Sequence, residues 1–360
     1  MLVEDLPSDP VRKPVTASAP SLADKVEFLM HGDSYRPPVA EVARHETHMS
    51  QVFLAGDRVY KLKKPVHFPY LDFSTLARRE AACRAELSLN RRLAPDTYRE
   101  VAPLVLSQQG LAIGGRGEVV DWLVVMNRLD EGQMMDHVIG ERRLHRWQLD
   151  RLAAVLVQFY RRASAVFLSP AIHAAEFWRS LAYNRRVLLD PRFQIPVGSV
   201  RYIDAMQRRF LTERAELLAE RVRTRRIVDG HGDLRPEHIC LGDPVRIIDC
   251  LEFNARLRMV DPFDEIAFLC VECERLGAAW AGEYLRRRIM RALHDGHCEE
   301  LFIFYRCHRA TLRARLSIAH LLEPNPRTPD KWGPLTHAYL RLAAADAVRL
   351  EKRLRRPKDR

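Results

Sequence analysis

Three short segments in fixed order constrain this chain more than any other feature. The first is His231-Gly232-Asp233-Leu234-Arg235-Pro236-Glu237-His238. Eleven residues after His238 comes Asp249, ending Ile247-Ile248-Asp249, and then Asp261-Pro262-Phe263-Asp264-Glu265-Ile266-Ala267. Arg226 to Gly230 and Val245 to Asp249 read as short strands flanking a polar loop. Adjacent strands joined by such a loop bring Asp233 and Asp249 to one site. Phosphoryl transfer needs two acids placed in this way: one orients the attacking hydroxyl, and the other holds Mg²⁺ on the nucleotide phosphates.

Composition agrees with a globular chain of that kind. At roughly 150 residues per domain, 360 residues make about two domains or one bilobal domain. A 47% hydrophobic content supports a substantial core. Unbroken apolar stretches such as Leu152 to Val157 are far shorter than the roughly 20 residues of a spanning helix, so no membrane association is expected. The N-terminal stretch is acidic and Pro-broken without an apolar run, unlike a secretory signal, which points to the cytoplasm. The net charge is 58 minus 47, or +11. Arginine supplies nearly all the cations, spread along helical segments, and no nucleic-acid-binding signature accompanies them. Nucleic acid is therefore not an expected partner. Lysine is absent between Pro65 and Asp330, so chemistry needing a buried lysine falls to Lys61, Lys63 or Lys64. Seven cysteines, an odd number, argue against a disulfide framework. A zinc site can be drawn from Cys270, Cys273, His297, Cys298, Cys307 and His308. The helical apolar pattern around Cys270 and Cys273 favours buried thiols instead.

Residues 1–22 are rich in Pro, Ser and Ala and are expected to lack fixed structure. Strands are predicted at Gln51 to Leu54 and Val59 to Leu62, with a turn over Ala55 to Arg58. A helix is predicted from about Ser74 to Leu93, capped by Ser74 or Thr75 and closed by Pro95. Further strands are predicted at Leu104 to Ser107, Leu111 to Ile113 and Trp122 to Met126. Beyond Asp130 the periodicity is mostly helical, at Arg142 to Phe167, Val200 to Arg223, Pro262 to Gly296, Glu299 to Leu322 and Leu335 to Leu354.

The segments His231 to His238, Ile248-Asp249 and Asp261 to Ala267 resemble the pattern H-G-D-[L/I]-x-x-x-N, then I-D, then D-P-x-x-D-[L/I]-A of the aminoglycoside phosphotransferase family, which has the protein-kinase-like fold. Val59-Tyr60-Lys61-Leu62-Lys63-Lys64-Pro65, Leu89-Asn90-Arg91-Arg92-Leu93 and Cys250-Leu251-Glu252-Phe253-Asn254 are similar to a bacterial branch of unassigned substrate. The resemblance covers about residues 40–320. It implies an α+β, bilobal protein-kinase-like fold with a small N-terminal β-rich lobe and a larger helical C-terminal lobe. The corresponding domains are an N-terminal nucleotide-binding lobe over 23–128, a catalytic and substrate lobe over 129–350 and a basic tail over 351–360. The implied activity moves the γ-phosphate of ATP or GTP, with Mg²⁺ or Mn²⁺, to a hydroxyl of a small molecule.

The resemblance also implies residue roles. Asp233 is the base toward the acceptor hydroxyl, and Asp249 is a metal ligand. Lys61 binds the phosphates, with Lys63 its rival on the same strand face. Glu86, or else Glu80, orients that lysine. Ser50 is a candidate phosphate donor in the turn over Met49 to Gln51, because no glycine-rich loop is present. Arg235 either neutralises the transferring phosphoryl group or pairs with Glu237. Asp261 braces the catalytic loop, and the backbone of Met126 to Leu129 meets the base. His238 departs from the family, which places a metal-binding Asn there; imidazole suits softer metals, so the second metal is lost, His238 is a ligand to a different metal, or the site is catalytically weak. That departure keeps open a nucleotide-binding pseudokinase without efficient turnover. Glu272, Glu274 and Glu299 either form an acidic acceptor pocket or lie on a solvated face. The acceptor and the oligomeric state are not legible.

Overall fold

Alternating apolar and polar residues fold the first third of the chain around one sheet. The computed structural model describes residues 19–295, 298–323 and 326–355. Helix α1 (Leu22–Met30) opens on a Ser21 cap whose side chain accepts the Asp24 N–H. Strands β1 (Val42–Glu46), β2 (Ser50–Ala55) and β3 (Arg58–Lys63) form an antiparallel meander. Gly56, at φ +60°, permits the two-residue turn between β2 and β3. A small hairpin of β4 (His67–Phe68) and β5 (Leu71–Asp72) leads to α2 (Leu76–Asn90), which Thr75 caps. Strands β6 (Tyr98–Ser107), β7 (Gly110–Ile113) and β8 (Glu118–Asn127) complete a six-stranded sheet in the order β1-β2-β3-β8-β6-β7. Helix α2 lies on this sheet, with Cys83 packed among Val59, Tyr98 and Val124.

After Asn127 the chain is mostly helical. It runs through α3 (Met135–Gly140), α4 (Arg146–Arg162), α5 (Pro170–Leu188), α6 (Val197–Glu213) and α7 (Ala215–Arg223). Four two-residue strands follow: β9 (Val228–Asp229), β10 (Ile239–Cys240), β11 (Arg246–Ile247) and β12 (Met259–Val260). β9 pairs with β12 and β10 with β11, so the two pairs frame the loop of Asp233 and the turn of Asp249. Helices α8 (Pro262–Arg275), α9 (Ala279–Ala292), α10 (Glu299–Ala319) and α11 (Pro329–Leu354) finish the chain. The main core joins α4, α5, α8 and α10 through residues such as Leu152, Phe177, Leu269 and Phe304.

Several expectations change. Ser21 and Leu22, read as part of an unstructured N-terminus, cap and open α1; residues 1–18 and 356–360 lie outside the described residues. The stretch Val200 to Arg223 is two helices broken at Arg214, and Pro262 to Gly296 is broken at Gly277, where φ is +85°. Helix α5 was not expected. Its buried stripe of His173, Phe177, Leu181, Asn184 and Leu188 includes two polar residues, which blur the apolar period. Lys25 is a fourth buried lysine: its Nζ lies 2.8 Å from Asp121, which also holds Arg79 of α2 at 2.7 Å. Cys270, Cys273 and Cys307 are buried free thiols. Among the described residues no cluster of three His, Cys, Asp or Glu is placed to hold a metal; His297 of the zinc reading lies outside them.

Candidate active site

The site begins with two lysines on β3. Period-2 alternation places Lys61 and Lys63 on the same face, and both reach Glu86 of α2. Lys61 Nζ lies 2.8 Å from Glu86 Oε1 and 3.0 Å from Asp249 Oδ1. Lys63 Nζ lies 2.6 Å from Glu86 Oε2 and pairs on its other side with Glu252. Lys63 and Glu86 are fully enclosed, whereas Lys61 borders the opening in which Asp249 stands 43% exposed. Burial opposes charge on Lys61, but Asp249 and then Glu86 outweigh it and hold the ammonium well above its ordinary value. Lys61 in turn holds the Asp249 carboxyl well below the usual carboxylate range. Glu80 is a surface residue paired with Arg84 at 2.8 Å.

Asp249 has φ +59°, a left-handed conformation that acids tolerate better than most residues and that recurs at functional sites. Its N–H donates to Tyr98 Oη at 3.2 Å, and the next N–H, of Cys250, donates to Asn90 Oδ1 at 2.9 Å. Arg92 reaches the Asp229 and Gly230 carbonyls, each at 2.9 Å. The C-terminal end of α2 thus grips both acid-bearing segments.

The Asp233 loop is held from behind by Glu265 of α8. Its carboxylate accepts the N–H groups of His231 at 3.2 Å and Gly232 at 2.5 Å, and the Tyr160 hydroxyl at 2.9 Å. Asp261 was the residue expected to brace this loop. Asp261 instead caps α8 through the Phe263 N–H at 2.9 Å and pairs with Arg221 at 2.6 Å. The signal for Glu265 was an acid in the first turn of an otherwise apolar helix. Buried His231 links the segments further: it meets Ile248 O at 2.9 Å, and burial pulls its ring down to about 4.

Asp233, Arg235 and His238 form a closed ring. Arg235 Nε donates to Asp233 Oδ2 at 3.0 Å, and Arg235 Nη2 meets His238 Nε2 at 3.0 Å. His238 Nδ1 meets the Asp233 carbonyl at 2.9 Å. A carbonyl only accepts and a guanidinium only donates, so this network assigns the proton to Nδ1 and leaves Nε2 as acceptor. The His238 ring spans the two acids, with Nδ1 3.7 Å from Asp233 Oδ2 and Nε2 3.9 Å from Asp249 Oδ2. Burial opposes charge on Asp233, but Arg235, His238 and Arg313 together outweigh it and hold the carboxyl down to about 2. Oδ1 has no hydrogen-bond partner among the described residues. Arg235 reaches Glu237 only at 4.0 Å.

No family model matches the chain. An uncharacterised protein of Mycobacterium tuberculosis is 34% identical over 311 residues, which are 84% of this chain and 57% of the relative. The chain therefore spans little more than half the length of the curated relatives it matches. Among solved structures, the choline kinase LicA of Streptococcus pneumoniae superposes with a TM-score of 0.53 at 12% identity, covering 91% of this chain and 97% of that one. The fold is protein-kinase-like. A thermostable mutant of the aminoglycoside phosphotransferase APH(4)-Ia superposes with a TM-score of 0.48 at 14% identity, covering 88% of this chain and 98% of that one.

In this kinase-like fold the tip between β1 and β2 lies at Thr47 to Ser50, slightly earlier than the sequence placed it. Ser50 opens β2 in a buried position, and its N–H is taken by Thr47 Oγ1 at 2.9 Å. The tip is tied across the molecule by Arg327, which donates to Glu46 O at 2.6 Å and Thr47 O at 3.1 Å. After β8, the N–H groups of Asn127 and Arg128 are taken by Thr97 O and Asp57 O. The acids considered for an acceptor pocket are committed elsewhere. Glu272 is buried against Arg275 at 2.7 Å and Arg313 at 3.2 Å, Glu274 pairs with Arg306 at 2.5 Å, and Glu299 pairs with Arg349 at 3.1 Å. These three acids form no shared acidic pocket; Glu272 is buried, while Glu274 and Glu299 stay part-exposed on their helices. No described helix is long and apolar enough to cross a membrane.

Proposed function

We propose that the chain is a phosphotransferase that moves the γ-phosphate of ATP or GTP to a hydroxyl of a small molecule. The observation that carries this reading is the Lys61 ammonium, 2.8 Å from Glu86 and 3.0 Å from Asp249, with one imidazole linking Asp249 to Asp233. Lys61 meets the nucleotide phosphates from the floor of the cleft, while Glu86 keeps its side chain extended. Lys63 balances the buried Glu86 and is too enclosed to touch phosphate. The backbone of the tip at Thr47 to Ser50 covers the phosphates in place of a glycine-rich loop. Asp233 Oδ1 orients the acceptor hydroxyl and takes its proton; a carboxyl at about 2 is a weak base, so transfer comes late, as in a loose transition state. Arg235 leaves Asp233 to meet the charge on the moving phosphoryl group.

The donor set fits a hard divalent cation brought in with the nucleotide: Asp249 supplies the protein carboxylate, and phosphates and water supply the rest. Held there by Asp249, Mg²⁺ or Mn²⁺ would offset the negative charge of the nucleotide phosphates. A second reading, a nucleotide-binding pseudokinase, rests on His238 standing between the two acids with a nitrogen lone pair where an oxygen ligand is wanted.

The test is a thermal-shift titration with ATP and GTP, each with Mg²⁺, Mn²⁺ or no metal, followed by an assay of ADP or GDP release. Ligand at 100 times its Kd stabilises a protein by about 2.7 kcal/mol. The reading requires a metal-dependent shift that Lys61→Ala and Asp249→Ala abolish. Asp233→Asn should keep the shift and lose at least ~100-fold in turnover. Nucleotide binding without turnover, rescued by His238→Asn, would move the assignment to the pseudokinase. No shift with any pair would remove both.

A further inference from the structure

A second feature of the helical part bears on what the acceptor is. Helices α5 and α10 and the segment 255–261 line an open cavity of about 770 Å³. Phe167, Ile172, Tyr183 and Leu257 line it and are exposed large hydrophobic residues, so its mouth is apolar. Two buried ring nitrogens in its wall, His173 Nε2 and His308 Nδ1, have no hydrogen-bond partner among the described residues. Both atoms have almost no accessible surface, so the two rings are packed behind the lining, where burial holds each below the ordinary histidine value.

Charge separates this cavity from one built for a polycation. Its three carboxylates are neutralised: Glu176 by Arg179 at 2.5 Å, Asp264 by Arg309 at 2.6 Å and Asp261 by Arg221 at 2.6 Å. Arg315 is different. It is half-buried, stacked 4.5 Å from the Tyr183 ring centroid, and its Nε donates to the neutral Asn184 amide at 2.8 Å. No carboxylate among the described residues pairs with it. Burial draws its guanidinium below the ordinary arginine value, whereas Asp264 holds Arg309 above it and Tyr339 with Glu272 holds Arg313 above it. A desolvated guanidinium without an acid is an unfilled anion site.

The cavity also adjoins the catalytic loop. A side-chain carbon on Gly232 would fall 2.9 Å from Leu257 O, and β12 in the wall pairs with β9, which leads into His231.

We propose that this cavity receives the acceptor, and that the acceptor is an alcohol with an apolar body and an anionic group that pairs with Arg315. This rests on the phosphotransferase reading. In the reaction the acceptor oxygen forms the new P–O bond while the bond from γ-phosphorus to the β,γ-bridging oxygen breaks. The nucleoside diphosphate leaves with that electron pair, and the hydroxyl proton passes to Asp233.

The test uses three probes of one length: 8-hydroxyoctanoate, 1,8-octanediol and 8-amino-1-octanol. Calorimetric titration of the full chain, without nucleotide, should give the carboxylate at least ~10-fold tighter binding than the other two, since one missing charge partner at a semi-buried site is worth that much. Arg315→Lys should keep the preference and Arg315→Gln should erase it, with melting curves confirming that both variants are folded. Equal or tighter binding of the amine, persistence of the preference in Arg315→Gln, or binding of none of the three would overturn the anion site. A parallel assay of ADP release with ATP and Mg²⁺ separates the two ideas. The charge preference without turnover keeps the anion site and removes its role as acceptor pocket together with the phosphotransferase reading. Turnover that Arg315→Gln leaves unchanged removes the pocket assignment and keeps the reading.

Discussion

At the residue scale, the loop tolerates little because its backbone is held in an unusual shape from both sides. Gly232 has φ +89°, and an added carbon would meet Leu257 O at 2.9 Å and Leu251 Cδ1 at 3.0 Å. Glu265 at the same time holds the Gly232 N–H at 2.5 Å, so the loop has no direction in which to yield. Gly232→Ala should therefore cost about 1–3 kcal/mol in urea unfolding and lower turnover further than that loss of fold explains. Gly198, which has open space around its Cα, gives the control: Gly198→Ala in α6 should be neutral or stabilising by up to about 1 kcal/mol. If both substitutions cost the same, conformational confinement is not what fixes the Asp233 loop.

At the scale of elements, α2 connects the sheet to the two acid-bearing segments, and its buried acid is the test of that connection. Glu86 is enclosed between two ammonium groups, so Glu86→Gln leaves Lys61 and Lys63 with Asp249 and Glu252 alone. Breaking a buried pair from one side costs about 3–5 kcal/mol. The same substitution at Glu80, on the exposed face of the same helix, should stay within about 0.5 kcal/mol. Chemical denaturation of the two variants checks the contrast directly. The features the sequence revealed here are those set by local rules. The β2–β3 hairpin shows through a turn glycine, α2 through its cap and Pro95, and the acids through motif spacing. What stayed hidden depends on partners far along the chain. Strands β10 and β12, two residues each, are too short to carry a period, and α5 buries polar residues in its stripe. Glu265 and Arg315 look like ordinary surface charges until the fold shows one bonded to loop N–H groups and the other left without an acid.

For the whole molecule, acid should unfold the protein before it protonates the Asp233 carboxylate. Burial draws His231 down to about 4 and His308 to about 3, both below the ordinary histidine value near 6.5. The unfolded chain thus binds these protons first. The stability contributed by the two neutral rings is complete above pH 6.5 and is lost as pH falls toward the folded values. Each ring contributes a slope of up to about 1.4 kcal/mol per pH unit, so the pair should remove about 2 kcal/mol between pH 6 and 5. Asp233, at about 2, stays ionised throughout that interval, as does Asp249, which Lys61 holds well below the usual range. Turnover should consequently fall with the folded fraction rather than along a carboxylate titration. Urea unfolding and initial rates measured at pH 7, 6, 5.5 and 5 settle the matter. A stability that stays flat over those values would mean that the histidines are not held neutral. A rate that falls while the protein remains folded would mean that a group other than these acids controls the chemistry. His308→Gln isolates one ring: it lies on α10 rather than within the Asp233 loop, and in urea unfolding it should roughly halve the slope. His231 sits inside the loop, so its share is what remains.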